Sequence, residues 1–195
     1  MEIGKIVSSS SHIDYICQVY SQNEARTPVQ PSDYALCTFV GLDQAPGGIL
    51  VGLITNTMLF NPEYGNLGPK LAPRDEMVVF SPDYLAEKVT LVTITLIGSI
   101  DAGGVVQQGV PATAAQSDTL VRTLEADTIG RFHHPSGQSL VLGYLSILLA
   151  STNPVTHQLL PHLVHSLGKL FPAEAPRLNL LNENLAWKTH IEPLG

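Results

Sequence analysis

The stretch VTLVTITLIGSI, residues 89–100, constrains the fold of this chain more than any other. It is rich in β-branched residues, whose stiff side chains suit a pleated, packed surface better than a helix. Its apolar residues have no polar face to balance them over half the run, so such a strand must be covered. The first 116 residues repeat this theme in shorter pieces separated by Gly, Pro and Asn turns. EIGKIVSS (2–9) reads as a first strand and IDYICQVY (13–20) as a second, with Ile13, Tyr15, Cys17 and Val19 on one face at the two-residue period. The intervening SSSSH is a strand corner. After the polar loop SQNEARTPVQPS, DYALCTFVGL (33–42) gives a third strand and GILVGLITNT (48–57) a fourth. DQAPGG between them is a hairpin loop of more than two residues. The irregular stretch LFNPEYGNLGPKLAPRDE leads to MVVF (77–80) and the long strand.

Five or more closely spaced strands, mostly apolar on one face, predict a small closed β-barrel, since closure removes sheet edges that would otherwise invite aggregation. Near residue 117 the period changes. SDTLVRTLEAD reads as a helix with Ser117 as N-cap and Leu120 and Leu124 one turn apart. Leu140, Tyr144, Ile147 and Leu148 fall on one face of a second helix. Leu160, Leu163, Leu167 and Leu170 fall on one face of a third, with Pro161 in a first turn or at a kink. LNLLNENLAWKTHIEPL is ambiguous between helix and irregular tail. The expected fold class is mainly β with α: a barrel over residues 1–116 and a helical region over 117–195, packing on the barrel or on a partner.

Composition narrows the function. Charged residues are 14% of the chain and the formal charge is −7, with no Lys/Arg cluster to offer phosphate-backbone binding its electrostatic footprint. Direct nucleic-acid binding is not expected. The longest apolar run, LVLGYLSILLA, is about half a membrane span, and the first residues lack a basic segment followed by an apolar one, so a cytoplasmic protein without a membrane span is expected. Cys17 and Cys37 belong to no Cys/His pattern of zinc spacing and read as core thiols.

The usual catalytic motifs do not occur. There is no GxxxxGK[ST] phosphate loop and no GxSxG elbow. His162 and His165 are three residues apart without an acidic residue at fitting spacing, and no cofactor is expected. The candidate pocket or interface residues are Arg74 and Asp75 in PRDE, the pair His133 and His134, which read as a turn before a helix, and Trp187, a core plug or an interface anchor.

Four segments in order, IGKIVSSSSHIDYICQVY, DYALCTFV, GILVGLITNT and GVPATAAQSDTLV, together resemble the HAS-barrel, the small N-terminal barrel of HerA-type ATPases and of rotary ATP synthase ring subunits. The resemblance covers about residues 2–122. Its markers are Gly4 opening the first strand, Gly52 followed by Ile54 and Asn56 in the fourth, and the Val110–Pro111 exit. It implies a collar on a ring, packing beside its neighbours and giving partners a docking surface. The motor domain with its phosphate loop does not follow in this sequence, so ATP hydrolysis does not carry over. The expected function is therefore a non-enzymatic interaction or assembly module that self-associates or docks on a separate P-loop ATPase. The alternative is a small-molecule-binding protein or enzyme with a pocket between barrel and helices.

Overall fold

The computed structural model describes residues 1–21, 24, 27–60, 89–135, 137, 139–151 and 154–191, except the side chains of 154, 156, 157 and 186–191. Its strands are β1 (Glu2–Ser9), β2 (Asp14–Val19), β3 (Phe39–Gln44), β4 (Gly48–Phe60), β5 (Val89–Ile100), β6 (Val106–Gln108) and β7 (Leu120–Thr123). Helices α1 (Ala126–His133), α2 (Leu145–Leu149), α3 (Pro154–Leu170) and α4 (Ala175–Ile191) follow. The sheet order β2-β1-β7-β3-β4-β5-β6, with β2 also pairing β5, closes six antiparallel strands into a barrel and leaves β6 as an outer partner of β5. The expected barrel is therefore present. MVVF, Arg74 and Asp75 lie outside the described residues.

Two cores share one wall. Tyr15, Cys17 and Val19 of β2 point into the barrel at the expected two-residue period, meeting Ile3, Ile6, Val40, Leu42, Leu50, Ile54 and Val121. Val51 and Leu53 of β4 point outward instead, under Ile129, Phe132, Leu159, Leu163 and Leu167 of the helices. On β5 the register skips one residue between the pairs Val51–Gly98 and Gly52–Leu96. That bulge breaks the two-residue alternation: Val92, Ile94 and Leu96 enter the barrel, while Ile97 and, three residues on, Ile100 both join the helical core. Strands covered on both faces read as continuous apolar runs rather than alternating ones, which is why GILVGLI and LIGSI carry no charge.

The helical region packs on the barrel, and its boundaries differ from the sequence reading. LVRT at 120–123, expected in a helix capped by Ser117, is β7, lying between β1 and β3 with Val121 fully buried. The barrel thus runs to residue 123, past the expected boundary at 116. α1, which was not foreseen, follows at once and presents Ile129, Phe132 and His133 inward. The helix expected around Leu140–Leu148 is only α2; Tyr144 and Leu148 are buried, and Leu140 reaches the same core from irregular chain. On α3, Leu160, Leu163 and Leu167 are buried as expected, but Leu159 and Val164 complete the stripe and Leu170 is exposed. Pro161 sits inside α3 on its exposed side, where the carbonyl it leaves unpaired can bond to water. The ambiguous C-terminal segment is helical, burying Leu178 and Leu185.

Gly98 shows how closely the helices approach. A Cβ there would meet the Gln107 carbonyl oxygen on one side and the Phe132 ring, 2.8 Å away, on the other. Gly98→Val forces these apart, and since overpacking a dense interface costs about 1–3 kcal/mol, urea unfolding of the variant is expected to show a loss at the upper end of that range. A midpoint equal to that of the parent chain would mean α1 is not seated on β5 as described.

Candidate functional site

His133 lies at the centre of the seam between barrel and helices. Its ring is fully buried, not part of an exposed turn, because α1 carries it inward one turn after Ile129. Nδ1 lies 2.8 Å from the Ile129 carbonyl oxygen and Nε2 2.8 Å from the Tyr144 hydroxyl oxygen. A carbonyl only accepts, so Nδ1 holds the proton and bare Nε2 accepts from Tyr144. The rings of Phe39, Phe132, Tyr144 and Phe171 enclose the imidazole at centroid distances of 5.2, 5.3, 5.6 and 5.6 Å. Burial pushes the His133 pKa down to about 4, the hydrogen bond to Ile129 opposing this and neighbouring His134 adding to it. Burial likewise pushes the Tyr144 hydroxyl up. Both groups are held neutral.

Gln108 of β6 is the second polar tie across the seam. Its Nε2 donates to the carbonyls of Phe132 at 2.8 Å and Val141 at 3.0 Å, while its Oε1 accepts the Gly143 N–H at 2.7 Å. One amide thus fixes the end of α1 and the chain entering α2. Half-buried His134 bonds back to the Gly130 carbonyl at 3.2 Å and packs T-shaped against the Phe171 ring, centroids 4.9 Å apart. His133 and His134 therefore both belong to the seam. His162 and His165 are exposed on α3. Trp187 falls in α4, its side chain outside the described residues. Burial raises the thiol pKa of Cys17 to about 12 and of Cys37 to about 11, so both stay protonated, as expected of core thiols.

An open groove with a cavity volume of about 550 Å³ lies elsewhere, where the β3–β4 turn, the β5–β6 turn, the end of β7 and the start of α1 converge. Arg122, Arg131, Asp101 and Glu125 line it together with Ile49, Thr123 and Thr128. Arg122 pairs with Asp43 at 2.8 Å, both about half exposed, a geometry worth little in water. Arg131 reaches Thr128 at 3.3 Å, and Asp101 accepts the Val105 N–H at 2.9 Å within its own turn. Sequence reasoning missed this groove because its residues come from four segments separated along the chain. The one available signal was that Arg122 alternates outward beside buried Val121.

A family profile described as Domain of unknown function (DUF8166) matches residues 1–193. The chain belongs to that family. The match runs through barrel and helices alike, so the DUF8166 unit contains the whole seam. No curated protein matches the chain. Among the described residues, no helix of this DUF8166 protein is long and apolar enough to cross a membrane.

The buried imidazole gives the seam a pH dependence. An unfolded histidine takes up its proton near pH 6.5, whereas His133 in the folded chain does so only near pH 4. Between those values the unfolded state holds more protons, so stability is full above about pH 6.5 and falls as pH drops toward 4, by at most about 3 kcal/mol. His133→Phe is expected to flatten this slope in urea titrations run across that window. An unchanged slope would place the acid sensitivity on other groups.

Proposed function

We propose that this DUF8166 chain is a non-catalytic interaction or assembly module, whose barrel docks on a P-loop ATPase of the HerA or rotary type or associates with itself. The observation that carries this reading is where the exposed hydrocarbon lies. The barrel interior is lined with buried apolar side chains. Yet the outer end of β4 presents Met58, Leu59 and Phe60 to solvent, Leu59 with 82% of its surface exposed. Large apolar side chains grouped together mark contact surfaces more often than isolated ones do. The ATPase enters through the HAS-barrel resemblance of the sequence, with which a closed six-stranded barrel is compatible.

Affinity purification of the tagged chain from its native cell at mild salt, with identification of the recovered chains and their native mass, tests the proposal. A P-loop ATPase at fixed stoichiometry, or a defined assembly of this chain alone, is the expected outcome. Recovery of a lone monomer would overturn it.

The groove between the barrel turns and α1 favours a second reading, a small-molecule-binding protein, because Arg122, Arg131, Asp101 and Glu125 converge there around the cavity. A ligand of that groove raises the melting temperature by mass action, and Arg131→Ala is expected to abolish the rise without lowering the ligand-free melting temperature. A metabolite screen that shifts neither protein argues against this reading.

A further inference from the structure

β4 outlasts its neighbour β3. The β3 ladder ends at Leu53, and Ile54 makes the last bonds on that side: its N–H to the Thr38 carbonyl at 3.0 Å, and its carbonyl from the Cys37 N–H at 2.9 Å. From Asn56 to Phe60 the strand pairs only with β5, on its opposite edge, among the described residues. The register shift between Ile54 and Asn56 reverses which residues face which edge. Asn56 then faces β5, and Thr57 faces the open side. There the Thr57 N–H is met by its own neighbour, the Asn56 Oδ1 at 2.9 Å. At the two-residue period Leu59 turns both its N–H and its carbonyl to that side, and no described residue receives them.

We propose that this open edge of β4 is a self-association site, at which two copies of the chain pair Asn56–Phe60 antiparallel about a two-fold axis near Met58. The proposal rests on the assembly reading above and names its surface. Three observations favour a second copy as the occupant. Unpaired edges of natural sheets are commonly guarded by Lys, Pro or other charges, yet neither β4 nor the stretch of β5 behind it carries a charged residue or a proline. The chain as a whole bears −7, so like copies approach at least electrostatic cost through an uncharged ribbon. The antiparallel arrangement is also self-complementary. With the axis at Met58, Leu59 of one copy stands opposite Thr57 of the partner subunit: the Leu59 N–H donates to that carbonyl, and the Leu59 carbonyl accepts the opposite N–H once it leaves the Asn56 Oδ1, an isologous contact that closes on itself. Leu59 and Phe60, largely exposed in the single chain, gain cover from the added strand. β2 backs β5 only as far as Leu91, so at Leu59 and Phe60 the described sheet is two strands wide, a width that is marginal in water and is stabilised by a third strand.

Sedimentation velocity of the purified full chain from low to high micromolar concentration tests this, with Leu59→Lys and Leu59→Pro as variants. Lysine restores an edge guard. Proline removes the Leu59 N–H, which has no partner among the described residues, and leaves the bonds to β5, a position where edge strands tolerate it. The expected result is a monomer–dimer equilibrium in the parent chain, weakened by roughly tenfold or more in each variant, with the melting temperature unchanged at concentrations where the parent is monomeric. Hydrogen exchange at the Leu59 amide should slow as the parent chain is concentrated, which checks the same contact without any substitution. A parent chain that stays monomeric, or variants that dimerise as the parent does, overturns the proposal. Recovery of an ATPase with a chain that is monomeric by itself would sink this edge as a self-association site while leaving the assembly reading intact. Dimers lost in both variants support both.

Discussion

Burial of β4 and β5 on both faces is the constraint from which the rest of this structure follows. A closed barrel of six strands needs only its inner face apolar, and the outer face of such a barrel is ordinarily wet. Here Val51, Leu53 and Ile97 turn outward as hydrocarbon, so the barrel by itself would leave a large apolar surface in water. The helices are the remedy for that surface. They are held against it by buried aromatic rings and by two polar ties, His133 to Tyr144 and Gln108 to the chain on either side of it. Barrel and helices are thus two layers around a common wall, consistent with a family match that spans both.

This arrangement explains what was legible in the sequence and what was not. Strands with one apolar face announced themselves: Tyr15, Cys17 and Val19 alternate, and they fill the barrel. The two-sided strands also announced themselves, by composition, as β-branched runs too long and apolar to be exposed. β7 did not. LVRT is four residues long, too short for periods of 2 and 3.6 to be told apart, and Leu120 and Leu124 happen to be spaced like a helical turn. What decides its state is non-local, the open edges of β1 and β3 on either side of it.

The site was less legible for a related reason. His133 reads as a polar residue beside His134 and a Pro-Ser-Gly turn, which suggests a surface position. Counted as part of the buried face with Ile129 and Phe132, it completes the i, i+3, i+4 pattern of a short amphipathic helix, and that count was the missing signal for α1. Arg74 and Asp75 lie outside the described residues. Arg122 and Arg131 carry no motif signal in the sequence because each is a single cation in its own stretch, brought together with Asp101 only by barrel closure.

The pairing of β1 with β7 joins Glu2 to Arg122, two ends of a barrel that nearly all of the intervening chain must bridge. Contacts so distant along the chain come late, because the entropy of a long loop is lost before any pairing compensates for it. During synthesis β1 leaves the ribosome long before β7 exists, and the barrel stays an open sheet until residue 123 has emerged. In that interval the inward faces of β1 to β5 are wet and their edges unsatisfied, a state prone to sticking to other nascent chains. The cell thus meets this protein first as an unfinished sheet, and a chaperone that shelters hydrocarbon-rich nascent chains would act most strongly in the window between the emergence of β5 and that of β7.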